Sequence, residues 1–218
     1  MPETSPYLAP GFYDRALAQG RHRQITGGWW EETGRIQLEL LREAGLEPSH
    51  RLLDIGAGAL RLGCKAVPYL NPGNYWATDA SAALLRRGWE VELDAKDRLP
   101  LSHLIEDADF TFPGVPADID YAIAWGVFTH LPPACLAKAL PVIRARFPSL
   151  RRLLFTVFPE PQPDRPRSGD DAVTHPDRPP YHFAPETILI LCQTSGFTAQ
   201  VSTTRLPRGQ MLITATPA

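Results

Sequence analysis

The chain has 218 residues, of which 44% are hydrophobic and 21% are charged. This length and composition are ordinary for a globular protein and suffice for one large α/β domain with a buried core. The formal net charge of −2 argues against nucleic acid as the main partner, because phosphate binding requires a concentrated positive field.

The sequence also argues against a membrane-bound or secreted protein. No apolar stretch approaches the ~18–20 residues needed to cross a bilayer, and "MPETSPYLAPGF" lacks the basic start and apolar middle of a secretion signal. The three cysteines, Cys64, Cys135 and Cys192, fit neither a disulfide framework nor the spacing of a zinc site. We therefore expect reduced thiols, no bound metal and a cytoplasmic location.

The first part of the chain, residues 1–46, is predicted to be an irregular N-terminal arm followed by a helix. A short helix is expected around residues 13–19, and the pair Gly27-Gly28 forms a flexible joint before two tryptophans. A longer helix over residues 31–44 has an apolar face and ends at Gly45.

Residues 47–218 alternate between predicted strands and helices, which favours a parallel sheet covered on both faces. Strands are expected over 51–55, 75–79, part of 102–110, 120–126 and 151–158, and helices over 59–70, 81–95, 132–147 and 184–196. Two further strands within 197–217 meet at the turn "PRG" and include an antiparallel pair. The predicted fold is a Rossmann-like, doubly wound, mostly parallel seven-stranded sheet with a C-terminal antiparallel hairpin.

The segment 159–183 interrupts this pattern. It is dominated by proline and charged residues, and it is too long for a plain connector. Two interpretations stay open, a disordered insertion and an active-site lid.

The stretch "RLLDIGAGALRLG" contains the strongest signal of a nucleotide site. A dinucleotide motif G-x-G-x-x-G that starts at Gly56 would place Arg61 where the third glycine belongs, and no Lys-Ser or Lys-Thr follows as in a phosphate loop. A third arrangement has an acid at a strand end, a G-x-G turn and an acid at the end of the next strand. Asp54, Gly58 and Asp79 complete it, and a carboxylate at the second strand end accepts hydrogen bonds from both hydroxyls of a ribose.

That arrangement resembles the class I S-adenosylmethionine-dependent methyltransferases over roughly residues 25–215. "LLDIGAG" is similar to their first motif, "YWATDAS" to the second, "IEDADF" to the adenine site and "DIDYAIAWGVFTHLPP" to the fourth-strand motif, and "TSGF" precedes a closing hairpin. More narrowly, the chain resembles a bacterial subgroup with Leu-Arg after the glycines. Leu60 departs from the usual third glycine, so we expect a less open loop beside the cofactor's methionine.

The resemblance implies transfer of a methyl group from S-adenosylmethionine to a small-molecule acceptor by in-line displacement. The alternatives are a non-catalytic scaffold or sensor that binds S-adenosylmethionine or S-adenosylhomocysteine, and a nicotinamide-dependent oxidoreductase. We expect no nucleic-acid or membrane partner, and a homodimer paired through the arm or an edge strand is compatible with the sequence.

The predicted site consists of a candidate base, substrate contacts and cofactor contacts. Residues 1–46 are expected to cover it, and residues 47–218 are expected to form the catalytic domain. His130 is the candidate general base because its unperturbed pKa of ~6.5 suits neutral pH. The substrate candidates are Trp30, with Trp29 as its rival, and Tyr181 and His182, with His175 as a weaker candidate. The cofactor candidates are Asp54, Gly56, Ala57, Gly58, Arg61, Asp79, Ala80, Asp109 (with Asp107 as its rival), Phe110 and Trp125.

Overall fold

A central eight-stranded sheet organises the computed structural model, which describes residues 5, 7, 11–161 and 169–218. The strands are β1 (Leu52–Ile55), β2 (Tyr75–Asp79), β3 (Leu104–Glu106), β4 (Tyr121–Ala124), β5 (Arg152–Pro159), β6 (His182–Phe183), β7 (Phe197–Val201) and β8 (Met211–Pro217). Seven of them run in the order β3-β2-β1-β4-β5-β8-β7, and β6 pairs with the end of β5. The first five strands are parallel, and β7 and β8 form an antiparallel pair, as predicted. Strand β8 also pairs antiparallel with β5.

Helices cover both faces of this sheet because side chains alternate along each buried strand. The helices are α1 (Phe12–Ala18), α2 (His22–Ile25), α3 (Trp30–Glu43), α4 (Gly63–Tyr69), α5 (Ala82–Val91), α6 (Pro133–Arg146) and α7 (Pro185–Thr194). Leu53 and Ala122 point into a core shared with α6 and α7, whereas Leu52 and Ile123 point into one shared with α3, α4 and α5.

Helix α5 shows how local signals set an element in place. The Ser81 hydroxyl oxygen accepts a hydrogen bond from the Leu84 N–H at 3.2 Å and caps the helix where the sequence predicts its start. Because β2 ends immediately before this cap, the helix begins at the carboxyl edge of the sheet, beside the crossover from β1 to β4. Ligands of open α/β sheets bind at such a switch point.

Several elements differ from the prediction. Helix α4 begins at Gly63 and not at residue 59, because the preceding residues form a turn with positive φ at Gly56, Gly58 and Leu60. The short elements α2 and β6 have no counterpart in the predicted order. Parts of the arm (1–4, 6 and 8–10) and of the Pro-rich segment (162–168) lie outside the described residues, so the lid at 159–183 and the division at residue 46 stay predictions.

The cysteines and the helices bear on two further expectations. Cys64, Cys135 and Cys192 lie on α4, α6 and α7, and all three are free thiols. Within the described ranges, no helix combines the length and the apolar character that a membrane span requires.

Candidate active site

A cavity of about 1340 Å³, including its part open to solvent, lies over the carboxyl ends of β1, β2, β3 and β4. The loops after these strands form its floor, the N-terminal arm covers one side, and the turn between β7 and β8 closes another. Most of the predicted cofactor residues and the candidate base line it, namely Asp54, Gly56, Ala57, Gly58, Arg61, Asp79, Ala80, Phe110, Trp125 and His130.

The glycine turn passes between two side chains that leave no room for a larger residue. A Cβ at Gly56 would lie 2.4 Å from Val127 Cγ2, and a Cβ at Gly58 would lie 2.4 Å from Thr26 Cγ2. Both glycines also have a positive φ, near +68° and +58°, which other residues rarely adopt. Glycine is therefore required here both by backbone conformation and by space.

The carboxylate of Asp79 joins the end of β2 to this turn. Its Oδ2 accepts a hydrogen bond from the Gly58 N–H at 2.9 Å, and its Oδ1 accepts one from the Ser81 N–H at 3.0 Å. Burial raises the pKa of Asp79 to about 6, although these donors act to lower it. The carboxylate is fixed in orientation and lines the cavity, so its remaining lone pairs are available to a ligand.

Asp54 and Arg61 are two further buried ionisable residues beside the turn, and the charge of each acts on the other. Asp54 accepts a hydrogen bond from the Tyr75 hydroxyl at 2.6 Å, and burial raises its pKa to about 7, whereas Arg61 acts to lower it. Arg61 is itself buried rather than on the helix surface, and burial lowers its pKa to about 10. Its Nη1 donates to the carbonyls of Thr26 and Gly28 at 2.7 and 3.1 Å, so Arg61 fastens the arm to the glycine turn.

Leu60 does not obstruct the cavity. Its side chain is fully buried in the core shared with α4 and Tyr75 and is absent from the cavity lining. Its backbone nevertheless adopts the left-handed conformation, with φ near +64°. The turn keeps the conformation of a third glycine, and the expected narrowing beside the methionine is not seen.

The loop after β3 places Asp107 in the cavity lining and leaves Asp109 outside it. Asp109 is exposed and forms an ion pair with Lys138 at 3.4 Å. The Asp107 carboxylate accepts hydrogen bonds from the N–H groups of Asp109, Thr111 and Phe112, which hold the loop in shape. The rival acid, not the one chosen from the sequence, lies at the candidate adenine position.

Two aromatic rings form apolar walls of the cavity. Phe110, with φ near +59°, stacks on Phe128 with ring centroids 5.7 Å apart, and only 8% of it is exposed. Trp125 follows β4 and is buried to the same extent. Phe110 and Trp125, both predicted to contact the cofactor, therefore line the cavity.

His130 lines the cavity next to Tyr7 of the arm. Its ring centroid is 4.9 Å from that of Tyr7. Burial, followed by the positive charge of Arg208, lowers the pKa of His130 to about 4. The imidazole is thus neutral at neutral pH and has a lone pair with which to accept a proton.

The arm contributes more to the site than the sequence indicated. Trp29, with 54% of its surface exposed, lines the cavity, whereas Trp30 packs against Ala59 and Leu84, with the Arg23 guanidinium 5.1 Å from its ring. The choice of Trp30 over its rival is therefore not supported by its position. Further lining residues that the sequence analysis did not identify are Tyr7, Tyr13, Thr33 and Gln37.

The proposed substrate contacts of the Pro-rich segment are also absent from the cavity lining. Tyr181 is buried in the core, and its N–H donates to the Thr129 carbonyl at 2.8 Å. His182 Nδ1 lies 3.0 Å from the Thr174 hydroxyl oxygen, and His175 forms a β-bridge with Tyr181. Because β6 pairs with β5, this part of the segment packs against the core. A strand of two residues is too short to show a sequence pattern from which its pairing could be predicted.

The turn between β7 and β8 supplies two residues that the sequence analysis missed, Arg208 and Gln210. The "PRG" sequence predicts a turn but gives no indication of which part of the sheet the turn reaches. Among the described residues, no group of three or more His, Cys, Asp or Glu side chains is arranged to hold a metal ion.

Solved structures of S-adenosylmethionine-dependent methyltransferases have the same fold as this chain. Magnesium protoporphyrin IX methyltransferase from Synechocystis PCC 6803, solved with bound S-adenosylmethionine, matches 98% of this chain and 95% of its own with a TM-score of 0.67 and 14% identity. Human N-acetylserotonin methyltransferase, in complex with the same molecule, matches 99% of this chain and 63% of its own with a TM-score of 0.69 and 16% identity.

A methyltransferase from Aquifex aeolicus matches 83% of this chain and 88% of its own, with a TM-score of 0.58 and 15% identity. At such identities the likeness establishes the fold alone. No protein-family model and no curated protein matches the chain in sequence. The bacterial subgroup stays a prediction.

Proposed function

We propose that the protein transfers a methyl group from S-adenosylmethionine to a small-molecule acceptor. The observation that carries this proposal is the Asp79 carboxylate, which is buried at the end of β2, lines the cavity and is oriented by the glycine turn. Structures of the same fold contain S-adenosylmethionine or S-adenosylhomocysteine, which supports the choice of cofactor.

The residues present fit this cofactor. Asp79 accepts hydrogen bonds from the ribose hydroxyls, and Phe110 offers an apolar surface to the adenine. The glycine turn contributes backbone without side chains to the cavity lining, against which the nucleoside can lie. On α3, Gln37 is 3% exposed and its Oε1 has no hydrogen-bond partner in the part of the chain that the structure describes, so it accepts a hydrogen bond from the cofactor's amino group.

The chemistry requires little of the protein beyond alignment. Bound S-adenosylmethionine supplies a methyl group that the adjacent sulfonium has already activated. The lone pair of the acceptor forms the new bond to the methyl carbon, and the electrons of the broken bond stay on sulfur. His130 takes the proton of an acceptor that arrives protonated. Tyr7 and Tyr13 cover the cavity, exclude water and fix the approach of the acceptor.

Isothermal titration with S-adenosylhomocysteine tests the cofactor assignment. We expect the wild-type protein to bind it and Asp79→Asn to bind it about 10-fold or more weakly, since a hydrogen bond to a charged group contributes roughly 1.5–3 kcal/mol. Asp109→Asn is the matched control, because this exposed carboxylate lies outside the cavity lining. Absence of binding by the wild type, or equal affinity of wild type and Asp79→Asn, would refute the assignment.

A further inference from the structure

The part of the cavity around His130 contains polar groups that the proposed cofactor does not use. Arg208 and Gln210 come from the turn between β7 and β8 and line both the main cavity and a neighbouring one. His130 lines the main cavity with them, and the charge of Arg208 acts on its imidazole. The proposed cofactor leaves this part of the cavity to the acceptor.

Arg208 is an exposed residue that lines the cavity and brings a positive charge to this part of it. The other arginine of the main cavity, Arg61, donates to two backbone carbonyls, and nearby Arg205 forms an ion pair with Asp171. Arg208 has no hydrogen bond or ion pair through its side chain to any residue within the described ranges. Its guanidinium offers a planar set of donors that matches a carboxylate.

Gln210 provides a second, independent sign of a ligand at this place. The residue is 9% exposed, and its side-chain Oε1 is buried without a hydrogen-bond partner among the described residues. A buried acceptor atom without a donor is costly and rare in folded proteins. Because Gln210 lines both cavities, a ligand that bridges them can supply the missing donor.

Aromatic side chains form much of the lining of the same cavity. They are Tyr7, Tyr13, Trp29 and Trp125, and the Tyr7 ring packs against the imidazole of His130 with the ring planes tilted by 51°. Such walls favour a flat, apolar ligand body, with orientation set by a few polar groups.

We propose that the methyl acceptor is a small aromatic acid whose carboxylate binds Arg208 and whose hydroxyl or N–H donates to Gln210 Oε1. This inference rests on the proposed function and specifies the substrate class of the same site. It assigns Arg208 to the selection of anionic acceptors and gives it no contact with the cofactor.

A matched pair of probes tests the charge requirement. The two probes are 4-hydroxybenzoate and 4-hydroxybenzamide, which to a first approximation differ only in charge. Each is titrated into protein saturated with S-adenosylhomocysteine, and its affinity is measured by isothermal titration. The wild type should bind the acid at least about 10-fold more tightly than the amide, and Arg208→Gln should abolish this preference while it keeps its affinity for S-adenosylhomocysteine. Arg35→Gln is the control and should retain the preference, because Arg35 is exposed on α3, forms an ion pair with Glu39 and lines neither cavity.

A second variant separates the two contacts. Gln210→Met should weaken the acid and the amide by a similar factor, since both probes keep the 4-hydroxyl group. Indole-3-carboxylate and its amide extend the comparison to a larger ring. Failure of every acid to bind better than its amide, or a preference that survives in Arg208→Gln, overturns the inference.

Binding of S-adenosylhomocysteine alone is measured first. If the protein does not bind S-adenosylhomocysteine, the proposed function is rejected. If it binds S-adenosylhomocysteine but does not prefer the acids over their amides, only the present inference is rejected.

Discussion

At the scale of single residues, the backbone of Leu60 forms part of the turn beside the cavity, whereas its side chain packs in the core. Its backbone has the left-handed φ that glycine adopts without cost, and a leucine there costs about 1–2 kcal/mol. Its side chain, however, is fully buried beside Tyr75 and α4. The position is therefore occupied by the residue that fills the core, and the cavity is unaffected.

Leu60→Gly tests this separation. Removal of a buried leucine side chain lowers the free energy of unfolding by roughly 2–5 kcal/mol. Glycine adopts the left-handed backbone without strain, which offsets a part of this loss. We therefore expect the free energy of unfolding to fall by about 1–3 kcal/mol in urea titrations. The affinity for S-adenosylhomocysteine should change less than about threefold. A large loss of affinity without a loss of stability would place the leucine at the ligand.

At the scale of elements, the short helix α2 depends on a carboxylate at the end of α5. The side chain of Glu92 is only 6% exposed, and it accepts hydrogen bonds from His22 Nε2 at 2.6 Å and from Arg23 Nε at 2.8 Å. The Arg23 guanidinium holds the pKa of Glu92 below its usual value. These bonds hold the arm, and with it the Thr26 and Gly27 wall, over the cavity.

Glu92→Gln should therefore loosen the arm without unfolding the sheet. We expect amide hydrogen exchange of residues 12–28 to rise by about fivefold or more, and the affinity for S-adenosylhomocysteine to fall, because charged hydrogen bonds of roughly 1.5–3 kcal/mol are weakened. Glu39→Gln removes an exposed ion pair with Arg35 on α3 and should leave both quantities unchanged. Equal exchange in wild type and Glu92→Gln would show that other contacts hold the arm.

The same elements show which parts of the structure a sequence can predict. The strand β2 and the capped start of α5 were predicted correctly because apolar runs and capping residues are local signals. The glycine turn and Asp79 follow from them, since parallel strands place their carboxyl ends at one edge. Arg208 and Tyr7 come from irregular segments, and their approach to the cavity depends on long-range packing that leaves no local pattern.

Strand pairing explains why Tyr181 and His182 do not line the cavity. Their position immediately before α7 indicated proximity to the site, but β6 pairs with β5 and turns Tyr181 into the core. A two-residue strand has no periodicity by which such pairing can be predicted.

At the scale of the whole molecule, the fold gathers two carboxyl groups into one buried cavity. Burial raises the pKa of Asp54 to about 7 and that of Asp79 to about 6, and the charge of Asp79 raises the pKa of Asp54 further. Each folded-state pKa lies above the ordinary value of 3.8, so the folded protein binds more protons than the unfolded chain between about pH 4 and pH 7. These groups therefore make the free protein less stable as the pH rises through that window.

His130 acts in the opposite direction over part of the range. Its pKa is lowered from 6.5 to about 4, so its contribution favours folding increasingly as the pH rises from 4 to 6.5. A stability profile of the wild type alone thus mixes the two effects. Comparison with a variant that lacks one carboxyl group separates them, because the contribution of His130 is common to both proteins.

Asp54→Asn provides that comparison, because the amide oxygen still accepts the hydrogen bond of the Tyr75 hydroxyl. Relative to the wild type, the variant should gain about 2 kcal/mol of stability between pH 5 and pH 8, since the ionisation of Asp54 that it avoids costs roughly 1.4 kcal/mol for each pH unit over the titrated range. Urea unfolding of the ligand-free proteins at both pH values measures the difference. A constant difference between the two proteins across this range would mean that Asp54 titrates near its ordinary pKa and that the cavity floor is more solvated than its burial implies.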